Sequence, residues 1–187
     1  MIRPATKEDH AIILDFLPNG YPSDRRPLHQ KSPIAQAVGR DHFTLLELVP
    51  KKGKFLQPYE EAYIGGEERE KIHHIIGKIT ISKLTQTARM ELDFVVKELI
   101  SKNEQRFIDF FNQAGPINTR MHQLELLPGI GKKHTTEILE KREEKEFKSF
   151  EDIKERVKLI PDPMQVVVRR IFAELNDEDK RKLFVQI

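Results

Sequence analysis

The run Leu126-Leu127-Pro128-Gly129-Ile130-Gly131-Lys132-Lys133 constrains the fold of this 187-residue chain more than any other stretch. Two glycines flank one apolar residue, between an apolar segment that must stop at Pro128 and a basic helix that must start. Lacking a Cβ, Gly129 and Gly131 are both expected to reach positive φ and to let an anion approach the backbone. The N–H groups opening the next helix would then point at that anion along the positive end of the helix dipole. Ile130 is expected to anchor the turn in the core. Met121, Leu124 and Leu127 predict a helix upstream, and Thr135, Ile138, Leu139 and Arg142 predict one downstream. A lone Gly-Ile-Gly would equally suit an ordinary turn between helices, so its flanks carry the argument.

With those flanks, and with Phe147-Lys148-Ser149-Phe150-Glu151-Asp152-Ile153 further on, the stretch resembles a helix-hairpin-helix DNA- or RNA-binding module. The resemblance implies that main-chain N–H groups across Gly129, Ile130 and Gly131 hold a backbone phosphate, with Lys132 and Lys133 adding charge. It further implies a potassium or sodium ion on the carbonyls of Glu125, Leu127 and Ile130. Thr135 departs from the pattern, which has a small alanine there against the partner helix. Some hairpins of this kind serve only packing or dimerisation, so protein docking stays open beside phosphate binding.

A second copy is expected to follow. Ser149 and Asp152 form a variant capping box for a helix carrying Ile153 and Val157. Leu159-Ile160-Pro161-Asp162-Pro163-Met164 then stands where the first hairpin stood, ahead of a helix with Val166, Val167, Arg170, Ile171 and Leu175. Asp162 and Met164 are read as replacing the two glycines, so this hairpin is expected to be structural.

Charge narrows how nucleic acid could bind. Residues 1–82 hold 12 basic and 11 acidic side chains, residues 83–116 hold 5 and 5, and residues 117–187 hold 15 and 14. No segment is a basic tail, so binding must use local clusters rather than the field of the whole molecule. Besides Lys132 and Lys133, these are Arg25-Arg26 and the Lys51-Lys52-Gly53-Lys54 segment, read as a hairpin tip; each is equally what solvated surface looks like. The absence of cysteine excludes disulfides and thiolate metal sites and suits a cytoplasmic protein. No run of about 18 apolar residues predicts a membrane span.

The first 82 residues read as β-rich. Short apolar or alternating runs at 11–17, 34–38, 43–49, 61–64 and 72–81, split by turn-forming segments, predict a small OB-like barrel. From Lys83 the period becomes helical, through Leu84, Ala88, Leu92, Val95 and Leu99, then Phe107, Phe110 and Phe111 up to Gly115-Pro116. The expected organisation is therefore α+β: a 1–82 OB-like β-barrel, an 83–116 helical connector and a 117–187 tandem helix-hairpin-helix domain. Phe43, Phe55, Tyr59 and Tyr63 offer stacking faces for a single strand, with core packing the stronger reading for Phe43.

This order of parts also resembles archaeal domain-of-unknown-function family 655, described as predicted RNA-binding proteins. Beyond the hairpin, the resemblance rests on Tyr63-Ile64-Gly65, Arg69, Lys71-Ile72 and Gly77-Lys78-Ile79. It implies an OB-like barrel plus a helical hairpin domain in an archaeal cytoplasm, and supplies no reaction.

Enzymatic readings are weaker. The hairpin is also similar to that of DNA glycosylase/lyases, where Lys133 would be the Schiff-base lysine and Asp152 its assistant. Asp152 is better explained as a helix-start residue, however, and residues 83–187 are short for such an enzyme's helical body. The seven histidines show no His-x-x-x-His pairing, and His73 and His74 on a strand are expected to face opposite ways. No phosphate-gripping nucleotide loop follows a strand. The expected function is thus non-enzymatic binding of nucleic acid, RNA ahead of DNA, with protein docking through the tandem hairpins as the alternative.

Overall fold

In a computed structural model that describes residues 7–186, the chain is α+β, as expected. Five antiparallel strands form one curled half-barrel sheet: β1 (His10–Leu17), β2 (Ile34–Gly39), β3 (Leu45–Pro50), β4 (Glu61–Tyr63) and β5 (Ile72–Lys78). Their order is β4-β1-β2-β3-β5. The sheet forms because short β-branched and apolar runs alternate across it. Ala11 and Ile13 of β1, Ala35 and Ala37 of β2, Leu46 and Leu48 of β3 and Ile72 of β5 form one buried cluster with Leu56, Ala62 and Ile64. Truncating a buried residue such as Ile13 to alanine should cost about 2–5 kcal/mol.

Five helices follow: α1 (Gln86–Lys102), α2 (Glu104–Gln113), α3 (Lys132–Glu144), α4 (Phe150–Arg156) and α5 (Pro163–Leu175). No helix among the described residues is long and apolar enough to cross a membrane.

Packing divides the chain into two compact units. One runs up to Val96 and takes in the segment from Glu174 onward; the other is Lys97–Ala173. These bounds differ from the 1–82, 83–116 and 117–187 division, whose first six residues lie outside the described part.

In the first unit the tail is tied by charge. Glu174 is wholly buried, and its carboxylate accepts the N–H groups of Leu183, Phe184 and Val185 at 2.8, 3.0 and 2.8 Å. Buried Gln36 donates to the Tyr21 hydroxyl and the Lys83 carbonyl, both at 2.9 Å. Burial and the neighbouring Glu47 carboxylate push the Tyr21 phenol up to about 12.

In the second unit, Asn112 clamps the backbone of Phe147, donating to its carbonyl and accepting its N–H at 2.9 Å each. The Arg142 guanidinium donates to the carbonyls of Phe111 and Ala114 at 3.1 and 2.8 Å, closing the end of α2. Arg156 does the same for α3 through Lys141 and Lys145, with its guanidinium 4.7 Å from the Phe147 ring centre. The arginine and phenylalanine of the sequence pattern are therefore helix-closing and packing residues here.

Candidate functional site

The glycine turn is built from a short capped segment. Where Met121–Leu127 predict an α-helix, the chain instead forms a small ladder, β6 (Pro116–Asn118) against β7 (Met121–His122), and then a 3-10 turn at Gln123–Leu126. Leucines three apart suit either helix, and the Asn118 carboxamide turns the chain by accepting from Arg120 and Met121. His122 caps the 3-10 turn: its Nδ1 accepts the Leu124 N–H at 3.1 Å, while Glu125 accepts the His122 N–H at 3.1 Å. Burial first, and the Arg142 charge second, hold this imidazole below its ordinary value.

Leu127 closes the 3-10 turn and Gly129 follows at φ 84°, the left-handed region expected of it. A Cβ on Gly129 would also stand 3.4 Å from Cγ of Pro161. Ile130 is buried, as its anchoring role requires, and its N–H returns to the Leu127 carbonyl at 3.1 Å. Gly131 differs from expectation. Its φ of −100° and ψ of −173° are extended backbone, and a Cβ there would meet nothing within 4 Å. It caps α3 with no side-chain hydrogen bond, so among the described residues the first N–H groups of that helix are left open. Lys132 and Lys133 are exposed beside them.

Of the three carbonyls expected to hold a monovalent cation, that of Leu127 already accepts the Ile130 N–H. The neighbouring Leu126 carbonyl accepts Arg170 Nη1 at 2.9 Å from α5. Thr135 is buried, and its hydroxyl oxygen finds no hydrogen-bond partner among the described residues.

The second turn repeats the first with one more residue. Ser149 caps α4 by accepting the Asp152 N–H at 3.1 Å, as expected, and Val157 closes that helix. Asp152 also accepts the Lys148 N–H and Arg156 Nη1 at 2.9 and 3.2 Å, so its carboxylate serves the helix start. The positive φ falls on Leu159, at 57°, rather than on Asp162. Asp162 caps α5 by accepting the Gln165 N–H at 3.1 Å, and Met164 lies inside that helix. Two contacts fix this turn to α3. His134 Nε2 donates to the Leu159 carbonyl at 3.1 Å, and Glu137 accepts the Lys158 N–H at 2.8 Å.

In the first unit, Lys51, Lys52 and Lys54 stand on a β-turn, with Gly53 at φ 78° and the Lys54 N–H on the Lys51 carbonyl at 3.0 Å. It is no hairpin tip. β3 pairs with β2 and β5, and the chain leaves this turn for β4 at the other edge of the sheet. Arg26 is engaged by Asp24 at 2.7 Å. Phe43 is buried, whereas Phe55 and Tyr59 are exposed. His73 and His74 do not face opposite ways: a ladder irregularity at that point of β5 sets their Nδ1 atoms 2.8 Å apart.

A curled antiparallel sheet, a set of helices and a glycine turn opening a helix whose first two residues are lysines define an α+β protein. The chain belongs to the family described as protein of unknown function (DUF655), whose model matches residues 7–186. It is similar to the uncharacterized protein MJ0038 of Methanocaldococcus jannaschii, with 42% identity over 183 residues, 98% of this chain and 81% of that protein. It is also similar to the crystal structure of Af1531 from Archaeoglobus fulgidus, at 46% identity and a TM-score of 0.87 over 95% of this chain and 99% of that one.

Proposed function

We propose that this protein binds nucleic acid, RNA ahead of DNA, without catalysing a reaction on it, and that the Gly129–Lys133 segment grips one backbone phosphate as a helix-hairpin-helix module does. The observation that carries the reading is the uncapped start of α3. Its open N–H groups and the two exposed ammonium groups of Lys132 and Lys133 offer hydrogen bonds and charge to one oxyanion. Single-stranded RNA is the first target because the exposed rings of Phe55 and Tyr59 supply stacking faces, with Lys51, Lys52 and Lys54 close by in sequence.

The test is Gly131→Val, which adds bulk on the phosphate approach without forcing a forbidden φ and with no atom within 4 Å of the new Cβ. Binding to single-stranded RNA and duplex probes should fall at least about tenfold, the scale of one lost charge-assisted contact. Unchanged binding removes the turn from the interface. A potassium or sodium ion on the Glu125, Leu127 and Ile130 carbonyls is part of the same reading. Equal affinity in potassium, lithium and tetramethylammonium salts would count against it.

One observation favours protein docking instead: Leu159, in the second turn, is 94% exposed. Salt separates the two readings. Phosphate binding releases counterions and weakens steeply between about 50 and 200 mM salt, whereas apolar docking does not.

A further inference from the structure

The sheet is open between its edge strands β4 and β5, and a cavity of about 440 Å³ occupies the inner side there. Its walls include Leu46, Ile64 and Ile75, and three cations line it: Lys7, Arg69 and Lys78. The register of the ladder explains how an exposed strand lysine comes to stand at the rim of this cavity. Ile75 pairs with buried Leu48, but an irregularity follows, so that Gly77 pairs with Glu47 and Lys78 pairs with buried Leu46. Such a bulge reverses the phase of a strand and re-aims a side chain. Without it, Lys78 would lie on the outer face. Arg69 is held by its Nε on the Gly65 carbonyl at 2.9 Å, and among the described residues its two terminal nitrogens stay open to a ligand. Tyr63 fixes that loop, since its hydroxyl accepts the Glu67 N–H at 3.2 Å and a Cβ on Gly65 would strike its ring.

Two acids also line the cavity. The Glu8 carboxylate already accepts the N–H groups of Asp41, His42 and Thr44, and Asp9 is exposed. The formal balance of these five side chains is +1. An apolar cavity with a few convergent charges at its rim is the ordinary form of a small-ligand site. The cations are of the kind that hold phosphate, and Arg69 presents a planar fork while Lys78 acts as a point charge.

We infer that this cavity binds a nucleoside monophosphate group, its phosphate on Arg69 and Lys78 and its base against Leu46, Ile64 and Ile75. The group is either a free mononucleotide or the phosphorylated end of a strand. This site is separate from the α3 turn and does not depend on it.

The experiment titrates the full-length protein with AMP, adenosine, and a short single-stranded RNA with and without a 5′-phosphate, read by isothermal calorimetry. In the wild type the phosphorylated member of at least one pair binds about tenfold tighter than its hydroxyl counterpart. That preference is lost in Lys78→Gln and in Arg69→Gln, and survives in Gly131→Val. Lys78 makes no described side-chain contact, so its variant folds as the parent does, which a thermal melt checks. A preference for AMP assigns a free nucleotide, and one confined to the RNA assigns a strand end. No phosphate preference in either pair overturns the inference, as does a preference that Lys78→Gln leaves intact. Should Gly131→Val abolish RNA binding while the AMP preference persists, both sites stand; should neither change, only the turn is removed.

Discussion

Gly129 and Leu159 hold the same place in two successive turns: each stands two positions beyond the residue that closes the preceding short helix, Leu127 and Val157, and each has positive φ, 84° and 57°. One is a glycine, for which this region is free, and the other is a γ-branched residue, for which it costs about 1–2 kcal/mol. Leu159 is also exposed, so little buried area offsets that cost. Leu159→Gly is therefore expected to raise stability by up to about 1 kcal/mol, the strain relieved less the greater freedom of an unfolded glycine. Gly129→Ala should lower it by about 1–2 kcal/mol through the backbone strain alone, since its Cβ would stand at an ordinary contact distance from Pro161. Urea midpoints of the two variants check the pair; a loss on Leu159→Gly would mean that the leucine side chain has a partner.

Thr135 gives a second stability test, independent of backbone strain. A buried hydroxyl with no partner forfeits its hydration, so Thr135→Val, which keeps the shape, should stabilise by about 1 kcal/mol. The thermal midpoint should rise by a few degrees. A fall would show that the hydroxyl is hydrogen-bonded in solution.

These two residues mark where the sequence is legible and where it is not. The five strand runs, α3 and the Ser149 cap follow from apolar period and from residue types that admit few alternatives. Gly129 at positive φ follows because glycine is the cheap residue there. Leu159 carries the same conformation with no compositional signal, which is why Asp162 and Met164 were the expected counterparts of the glycines. The bulges in β5 are nearly as silent: one sets His73 beside His74 and another puts exposed Lys78 in register with the inner face, and only Gly77, a glycine inside a strand, hints at the second. The Met121–Leu127 spacing fits a 3-10 turn as well as an α-helix, and only the Asn118 and His122 side-chain bonds decide it. Of the candidate site, the turn and its lysines were legible, whereas Arg170 on the Leu126 carbonyl was not, because it arrives from a helix far along the chain.

The His122 cap should make the turn sensitive to pH. Its Nδ1 must be unprotonated to accept the Leu124 N–H, and burial lowers the folded pKa beneath the unfolded value. The unfolded chain therefore binds the proton first as pH falls. The contribution is intact above about 6.5, erodes below that value, and is gone once the pH has passed the depressed folded value. Amide exchange at Leu124–Leu127, corrected for intrinsic rates, should lose protection between pH 7.5 and pH 5. In His122→Asn, which still offers a capping oxygen, that pH dependence should vanish. An unaltered profile in the variant would assign it to another group.

The tail that follows α5 bears on how the two halves can be tested apart. Three consecutive N–H groups, from Leu183 to Val185, rest on the Glu174 carboxylate. Beyond them the Gln186 N–H donates to the His42 carbonyl at 3.1 Å, while Thr44 Oγ1 donates to the Gln186 carbonyl at 2.9 Å. A cut at Gly115-Pro116 would therefore strip the sheet of a segment that packs with it, and failure of such a fragment to bind RNA would say nothing about the sheet's own capacity. Glu174→Gln separates the effects. Whichever way the carboxamide turns, its NH2 group faces at least one backbone N–H that the carboxylate had accepted, at a cost of about 1.5–3 kcal/mol for each charge-assisted bond lost. Exchange protection at Leu183–Val185 and at Gln186 should fall in this variant, while the amides of α3 keep theirs. Equal loss in α3 would mean that the two units unfold together, and the sheet would then have to be assayed only in the whole protein.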